Sequence, residues 1–134
     1  MPTANRFLVE QIIRRLNTRD PRMSELCHPD IEWRWPATTP GTSLFRGHAE
    51  LERGLFSWAE SWDEIVMEPE EILEDGDYVL AMLRYRIRGA GSGVSLEEPV
   101  AHLRQFENGL LRRWWMFGDP EKARRRFLAG DRRG

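Results

Sequence analysis

His102 and Arg104 stand two residues apart in a stretch, Val94 to Phe106, that reads as a β-strand, so both side chains project from one face of it. An imidazole with an ordinary pKa of about 6.5 can donate, accept or shuttle a proton at neutral pH. A guanidinium can hold a carboxylate or enolate oxygen through paired hydrogen bonds. Together they offer acid/base chemistry with charge stabilisation, His102 as general acid/base and Arg104 as charge stabiliser. Structural readings stand beside these. The imidazole can be satisfied by a neighbouring backbone group or by Tyr85, and the guanidinium by an ion pair with Glu97 or Glu107. His48 and His28 read as a helix-start and a turn residue.

The remaining reactive types offer less. Cys27 is the only cysteine, which excludes an intrachain disulfide and a cysteine-rich zinc cluster and fits a reducing, cytoplasmic compartment. Lying in an apolar stretch with only His28 beside it, it reads as a buried filler rather than a nucleophile. The acidic run Glu68, Glu70, Glu71, Glu74, Asp75 and Asp77 reads as a solvated hairpin edge, and no metal is expected. Arginines cluster at 112–113, 124–126 and 132–133, but a net charge of -2 provides no global basic field, so no nucleic-acid partner is expected. No apolar run resembles a signal peptide or approaches the roughly 20 residues that span a bilayer, so neither export by that route nor a membrane is expected.

The elements that must position these groups follow from periodicity. Leu8, Val9, Ile12, Ile13 and Leu16 fall at helical spacing between Ala4 and Asn17. A short helix over Met23 to Cys27 follows, with Asp20 as candidate N-cap and Pro21 in its first turn. Ile31 to Trp35 alternates as a strand before Pro36 and a turn-rich loop at 38–41, and a third helix runs from Gly47 to about Ser61, carrying Leu51, Leu55, Phe56 and Trp58. From Glu64 the period becomes two. Strands of about Ile65 to Leu73, Tyr78 to Arg88, Val94 to Phe106 and Leu110 to Phe117 form an antiparallel meander, with turns at 74–77, 89–93 and 107–109. Asp119-Pro120-Glu121 opens a last short helix, where N-capping alone would select the aspartate. With 134 residues, 40% of them hydrophobic, one α+β domain with its core over about 5–128 is expected, burying roughly two-thirds of the unfolded surface.

This order, with Phe45-Arg46-Gly47-His48-Ala49-Glu50-Leu51, Phe106-Glu107-Asn108-Gly109-Leu110-Leu111 and Asp119-Pro120-Glu121-Lys122-Ala123, resembles the SnoaL-like, nuclear-transport-factor-2-like superfamily along nearly the whole chain. Its relatives include the ketosteroid isomerases, limonene epoxide hydrolases and polyketide cyclases. The resemblance implies a cystatin-like cone, a curved antiparallel sheet wrapped on the N-terminal helices. It does not carry over the isomerase residues: Ile12 stands at the oxyanion tyrosine position, Trp35 at the catalytic aspartate, and His102 at the second oxyanion donor. Leu83, Tyr85 and Met116 replace the aspartate-arginine-aspartate relay of the epoxide hydrolases. Asp119 is the nearest match to the acid/base aspartate of the cyclases.

The same resemblance implies that Leu83, Tyr85, His102, Arg104, Trp114 and Met116 face the concave side, with Ile12 and Trp35 closing its floor. Ile12, Trp35, Leu83, Tyr85, Trp114 and Met116 are then the substrate-binding candidates, and His102, Arg104 and Asp119 the catalytic ones. Six tryptophans suit a flat or cyclic apolar ligand. The expected function is a cofactor-free isomerase, cyclase or hydrolase acting on a small hydrophobic cyclic or carbonyl compound, with a non-catalytic ligand-binding or accessory protein of the same fold as the alternative. The outer sheet face of such proteins commonly pairs subunits, so Trp115 and Phe117 are candidate contacts of a homodimer.

Overall fold

The computed structural model describes residues 4–36, 43–89 and 91–132. The expected loop at 38–41, Ala90 of the glycine-rich turn and Arg133 of the last arginine cluster lie outside them. The helical spacing read near the N-terminus is that of α1 (Ala4–Asn17), which buries Val9, Ile12, Ile13 and Leu16. Its last residue fastens it to the sheet: Asn17 Nδ2 donates to the Met67 carbonyl at 3.0 Å, and the Met67 N–H donates to Asn17 Oδ1 at 2.8 Å.

The short helix expected over Met23 to Cys27 is a single 3-10 turn, Met23–Leu26, without a side-chain cap. Asp20 accepts instead from the Arg22 N–H, so Pro21 lies in an Asx turn before the helix rather than within it. Cys27 begins β1 (Cys27–Arg34), which starts four residues earlier than its alternation suggested. The cause is a bulge. Cys27 pairs with Leu111, regular register resumes only at Glu32, and His28, Pro29 and Asp30 lie in the irregular interval where no period of two can show.

β2 (Leu44–Arg46) has no counterpart in the sequence pattern, since three residues are too few to reveal a period. It pairs antiparallel with β1. Gly47, at φ +78°, then turns the chain into α2 (Gly47–Glu60), whose first turn is closed by the Glu50 carboxylate accepting the Arg46 N–H.

The meander consists of β3 (Trp62–Asp75), β4 (Tyr78–Gly89), β5 (Ser95–Glu107) and β6 (Leu110–Phe117), each antiparallel to the next. Asn108 and Gly109, with φ of 52° and 77°, make the two-residue β5–β6 turn of a type that needs positive φ at both positions. The six strands lie in the order β2-β1-β6-β5-β4-β3, and β1 runs parallel to β6. The sheet is thus antiparallel except for that one pair, within an α+β fold. No helix among the described residues is long and apolar enough to cross a membrane.

Alternation divides the sheet into two faces. The inner face, against α1 and α2, carries Val79, Ala81 and Leu83 of β4, Phe106 of β5, Trp114 of β6 and Ile31 and Trp33 of β1. The outer face carries Leu80, Met82, Ala101 and Leu103, packed on Ala123 and Phe127 of α3 (Pro120–Leu128), with Trp115 and Phe117 at its margin. Trp114 is therefore the inner tryptophan and Trp115 the outer one. The rest of the outer face is charged: Arg84 pairs with Glu70, Arg86 with Glu68 and Glu97, and Arg88 with Glu64.

Gly54 sets the approach of α2 to the sheet. A Cβ there would lie 2.9 Å from a ring carbon of Phe45 and 3.1 Å from one of Trp33, so only glycine lets the helix rest on those rings. Gly54→Ala gains about 1 kcal/mol of helix propensity, but overpacking costs typically 1–3 kcal/mol. We predict net destabilisation, measured as a lower midpoint of urea unfolding with an unchanged slope. A higher midpoint would mean that the rings yield freely.

Candidate functional site

Only two polar side chains are fully buried among the described residues, and they are the pair singled out by type and spacing, His102 and Arg104. Both project from β5 onto the inner face. Arg104 Nη2 donates to His102 Nδ1 at 3.1 Å, and His102 Nε2 lies 2.6 Å from Tyr85 Oη on the neighbouring β4. The His102 and Trp114 rings meet edge to face at 5.4 Å, and the Arg104 guanidinium lies 5.3 Å from the Trp114 ring centroid.

The donor inventory fixes the protons of this chain. A guanidinium can only donate, so His102 Nδ1 must present its lone pair, and a neutral ring then carries its hydrogen on Nε2. Nε2–H donates to Tyr85 Oη, which leaves the Tyr85 hydroxyl hydrogen free for another acceptor. Electrostatics agree. Burial first, and the Arg104 charge second, hold the His102 pKa well below the usual histidine range. Burial pushes the Tyr85 phenol up, with Arg104 opposing in part, so it stays protonated. Arg104 itself is lowered by burial to about 10 and remains a cation at neutral pH.

Arg104 has no carboxylate partner. Glu97 pairs with Arg86, and Glu107 with Arg112 and His28, so the ion pair weighed for Arg104 does not form. Its Nε and Nη1 are buried without an acceptor, as are the indole nitrogens of Trp33 and Trp114, whose rings stack at 4.5 Å.

Depth and rim are distinct. Ile12, Leu83, Trp33 and Trp114 are fully buried, whereas Trp35, Trp58, Tyr85, Val100 and Met116 are half-buried against the same core. Strand register places Tyr85, Val100 and Met116 toward one end of the inner face, and Trp35 follows β1 at that end. Tyr85 is thus where the polar chain meets the rim, with the Trp58 ring of α2 6.4 Å away. Trp35, implied as floor, stands at the rim, while Ile12 lies in the depth. Trp58 also walls a cleft of about 480 Å³ between α1, α2 and the start of β3. Trp35 and Met116 also border a cleft of about 510 Å³ reaching α3.

Asp119 lies apart from the chain. It caps α3, accepting the Lys122 N–H at 3.1 Å, and lines the cleft beside α3. His48 Nε2 donates to the Cys27 carbonyl at the start of α2. Cys27 is buried, and desolvation pushes its thiol up to about 12, which makes it a poor nucleophile. Among the described residues, no three His, Cys, Asp or Glu side chains come close enough to hold a metal ion. Trp58 and Val100 were not foreseen as site residues. Helical spacing put Trp58 on the apolar face of its helix, but its position over Tyr85 depends on how α2 crosses the sheet.

A protein-family model described as a SnoaL-like domain matches residues 9–114. No curated protein sequence matches the chain. Solved structures similar to it include an NTF2-like protein of unknown function from Burkholderia pseudomallei K96243, with a TM-score of 0.80 and 20% identity over 92% of this chain and 97% of that one. TerC, co-crystallized with polyporic acid, has a TM-score of 0.78 and 19% identity over 92% and 97%. An NTF2-like protein from Burkholderia thailandensis E264 has a TM-score of 0.76 and 25% identity over 100% of both chains.

A depressed histidine pKa has a signed consequence for stability. Below about pH 6.5 the unfolded chain protonates His102 while the folded one does not, so folding stability falls as pH falls, by at most about 1.4 kcal/mol per pH unit from this group. Between pH 6.5 and 5.5, wild type should lose more stability than His102→Gln, in paired denaturant titrations. Nitrogen NMR should show His102 neutral, with its hydrogen on Nε2, across that range. A charged ring at pH 6 would contradict the proton assignment.

Proposed function

This chain belongs to the SnoaL-like domain family, and on that premise we propose that it binds a small, flat or cyclic, carbonyl-bearing molecule at the rim formed by Trp35, Trp58, Tyr85, Val100 and Met116, with Ile12, Leu83 and Trp114 forming the depth behind it. The observation that carries this reading is the 2.6 Å contact of Tyr85 Oη with His102 Nε2, which by the tautomer argument leaves the hydroxyl hydrogen for another acceptor, on a half-buried side chain at the end of an otherwise closed core. Aromatic walls supply contact area, and one oriented donor supplies specificity.

In this proposal the Tyr85 hydroxyl donates to the ligand carbonyl, polarising it. His102, neutral and held by Arg104, keeps that hydroxyl oriented. The acid/base role expected of His102 is thereby reduced to orienting the Tyr85 donor, because Nδ1 is engaged by Arg104 and Nε2 already carries a hydrogen; Arg104 supplies positive charge behind it, and no cofactor is invoked. Asp119 is assigned only its cap. TerC, similar in fold, is co-crystallized with polyporic acid, which is consistent with a small organic ligand here. Binding without turnover is the second reading. It is favoured by the absence of any buried carboxylate among the described residues, since proton abstraction beside a carbonyl needs a base.

1-Indanone and 2-indanone are suitable neutral probes. We expect either to quench tryptophan fluorescence saturably in wild type. Tyr85→Phe should weaken binding by roughly five- to tenfold, the worth of about one hydrogen bond, and Val100→Trp should abolish it by filling the rim. Unchanged affinity in both variants would place the ligand elsewhere. Deuterium exchange at the α-carbon of bound 2-indanone separates the two readings. Exchange that is lost in His102→Gln supports catalysis, and none above the buffer rate supports binding alone.

A further inference from the structure

Tyr85 satisfies a neutral carbonyl, but the deepest groups of the site ask for more. Arg104 is a full cation in the interior, with Nε and Nη1 lacking acceptors, and the adjoining Trp33 and Trp114 indoles add two more buried N–H groups without partners. Every unmet group in this cluster is a donor. Glu97 and Glu107 are engaged elsewhere, and Glu98, on the same face of β5, stands exposed six residues away, opposite Tyr85. His102 Nδ1 takes one Arg104 hydrogen and neutralises none of its charge. A donor-only cluster carrying one positive charge is complementary to an oxyanion, and discriminates against a neutral group of the same shape.

We propose that Arg104 receives the oxyanion of the ligand, so that the molecule bound is a cyclic or aromatic organic acid, a carboxylate or an enolate, rather than a neutral ketone. The inference rests on the reading that the ligand enters at the Tyr85 rim, and names its chemical class. The anionic oxygens reach Arg104 and a second oxygen meets Tyr85; because Arg104 is fully buried, binding requires the core to open at the rim. Retaining an unpaired buried charge also implies that Arg104 weakens the unliganded fold, because a well-packed apolar side chain in its place would remove the desolvation penalty.

Benzoate and benzamide, alike in shape and different in charge, test the class by calorimetry at physiological salt. Wild type should bind benzoate about tenfold or more tighter than benzamide, the scale of one charge-assisted contact. Arg104→Met should lose that preference, and without ligand its Tm should rise by about 5 °C. The wild-type ratio decides the matter even if the variant folds poorly, and Arg104→Lys, keeping the charge, should retain part of the preference. Equal binding of the two probes by wild type, with 1-indanone still bound, would overturn the anion inference and leave the rim site standing. Preference for benzoate that survives in Arg104→Met would also overturn it, and would place the anion on the basic surface near Arg34 and Lys122. Binding of none of the three probes would remove both readings.

Discussion

A guanidinium withdrawn from water loses several kcal/mol of hydration. Arg104, fully buried and without a carboxylate, recovers part of that through His102 Nδ1 and the face of Trp114. Much of the interior follows from this one placement. The guanidinium fixes the histidine tautomer, the tautomer makes Tyr85 Oη the acceptor, and the hydroxyl keeps its own hydrogen for another partner. The aromatic rings serve the same end. Trp33 and Trp114 stack beside the charge, and Gly54 clears the space in which α2 closes over Trp33 and Phe45.

The two faces of the sheet handle charge in opposite ways. On the outer face Arg84, Arg86 and Arg88 meet glutamates across the strands, in exposed pairs worth roughly a few tenths of a kcal/mol each. On the inner face one arginine stands without such a partner. The same residue type on adjacent strands is therefore paired with glutamate on one side and left without a carboxylate on the other. β6 shows the division in two consecutive residues, with Trp114 in the helix-covered core and Trp115 beside α3.

Much of the architecture was legible in the residues. The change of period at Glu64, the Asn108-Gly109 turn and the alternation of arginine with apolar residues along β4 place the meander strands and their faces, because each is a local signal. The contact of His102 with Tyr85 also follows from residues on one face of adjacent strands. β2, the parallel pairing of β1 with β6 and the early start of β1 were not legible. A three-residue strand has no period, a bulge erases one, and strand direction across a long crossover is a tertiary property. The same limit hid Trp58 and Val100, whose places depend on how α2 and the strand ends converge. What no periodicity could disclose was that Arg104 would lack a carboxylate, since Glu97 and Glu107 lie close in sequence and face other partners.

The most direct measurement is a high-resolution crystal structure of the protein as purified, with the electron density read around Arg104. The account predicts Arg104 on the inner face, bonded to His102 Nδ1, with an acceptor atom of a bound molecule within hydrogen-bond reach of Nε or Nη1 and that molecule extending toward Tyr85. Arg104 turned to the outer face, or paired with a carboxylate of the chain, would contradict it.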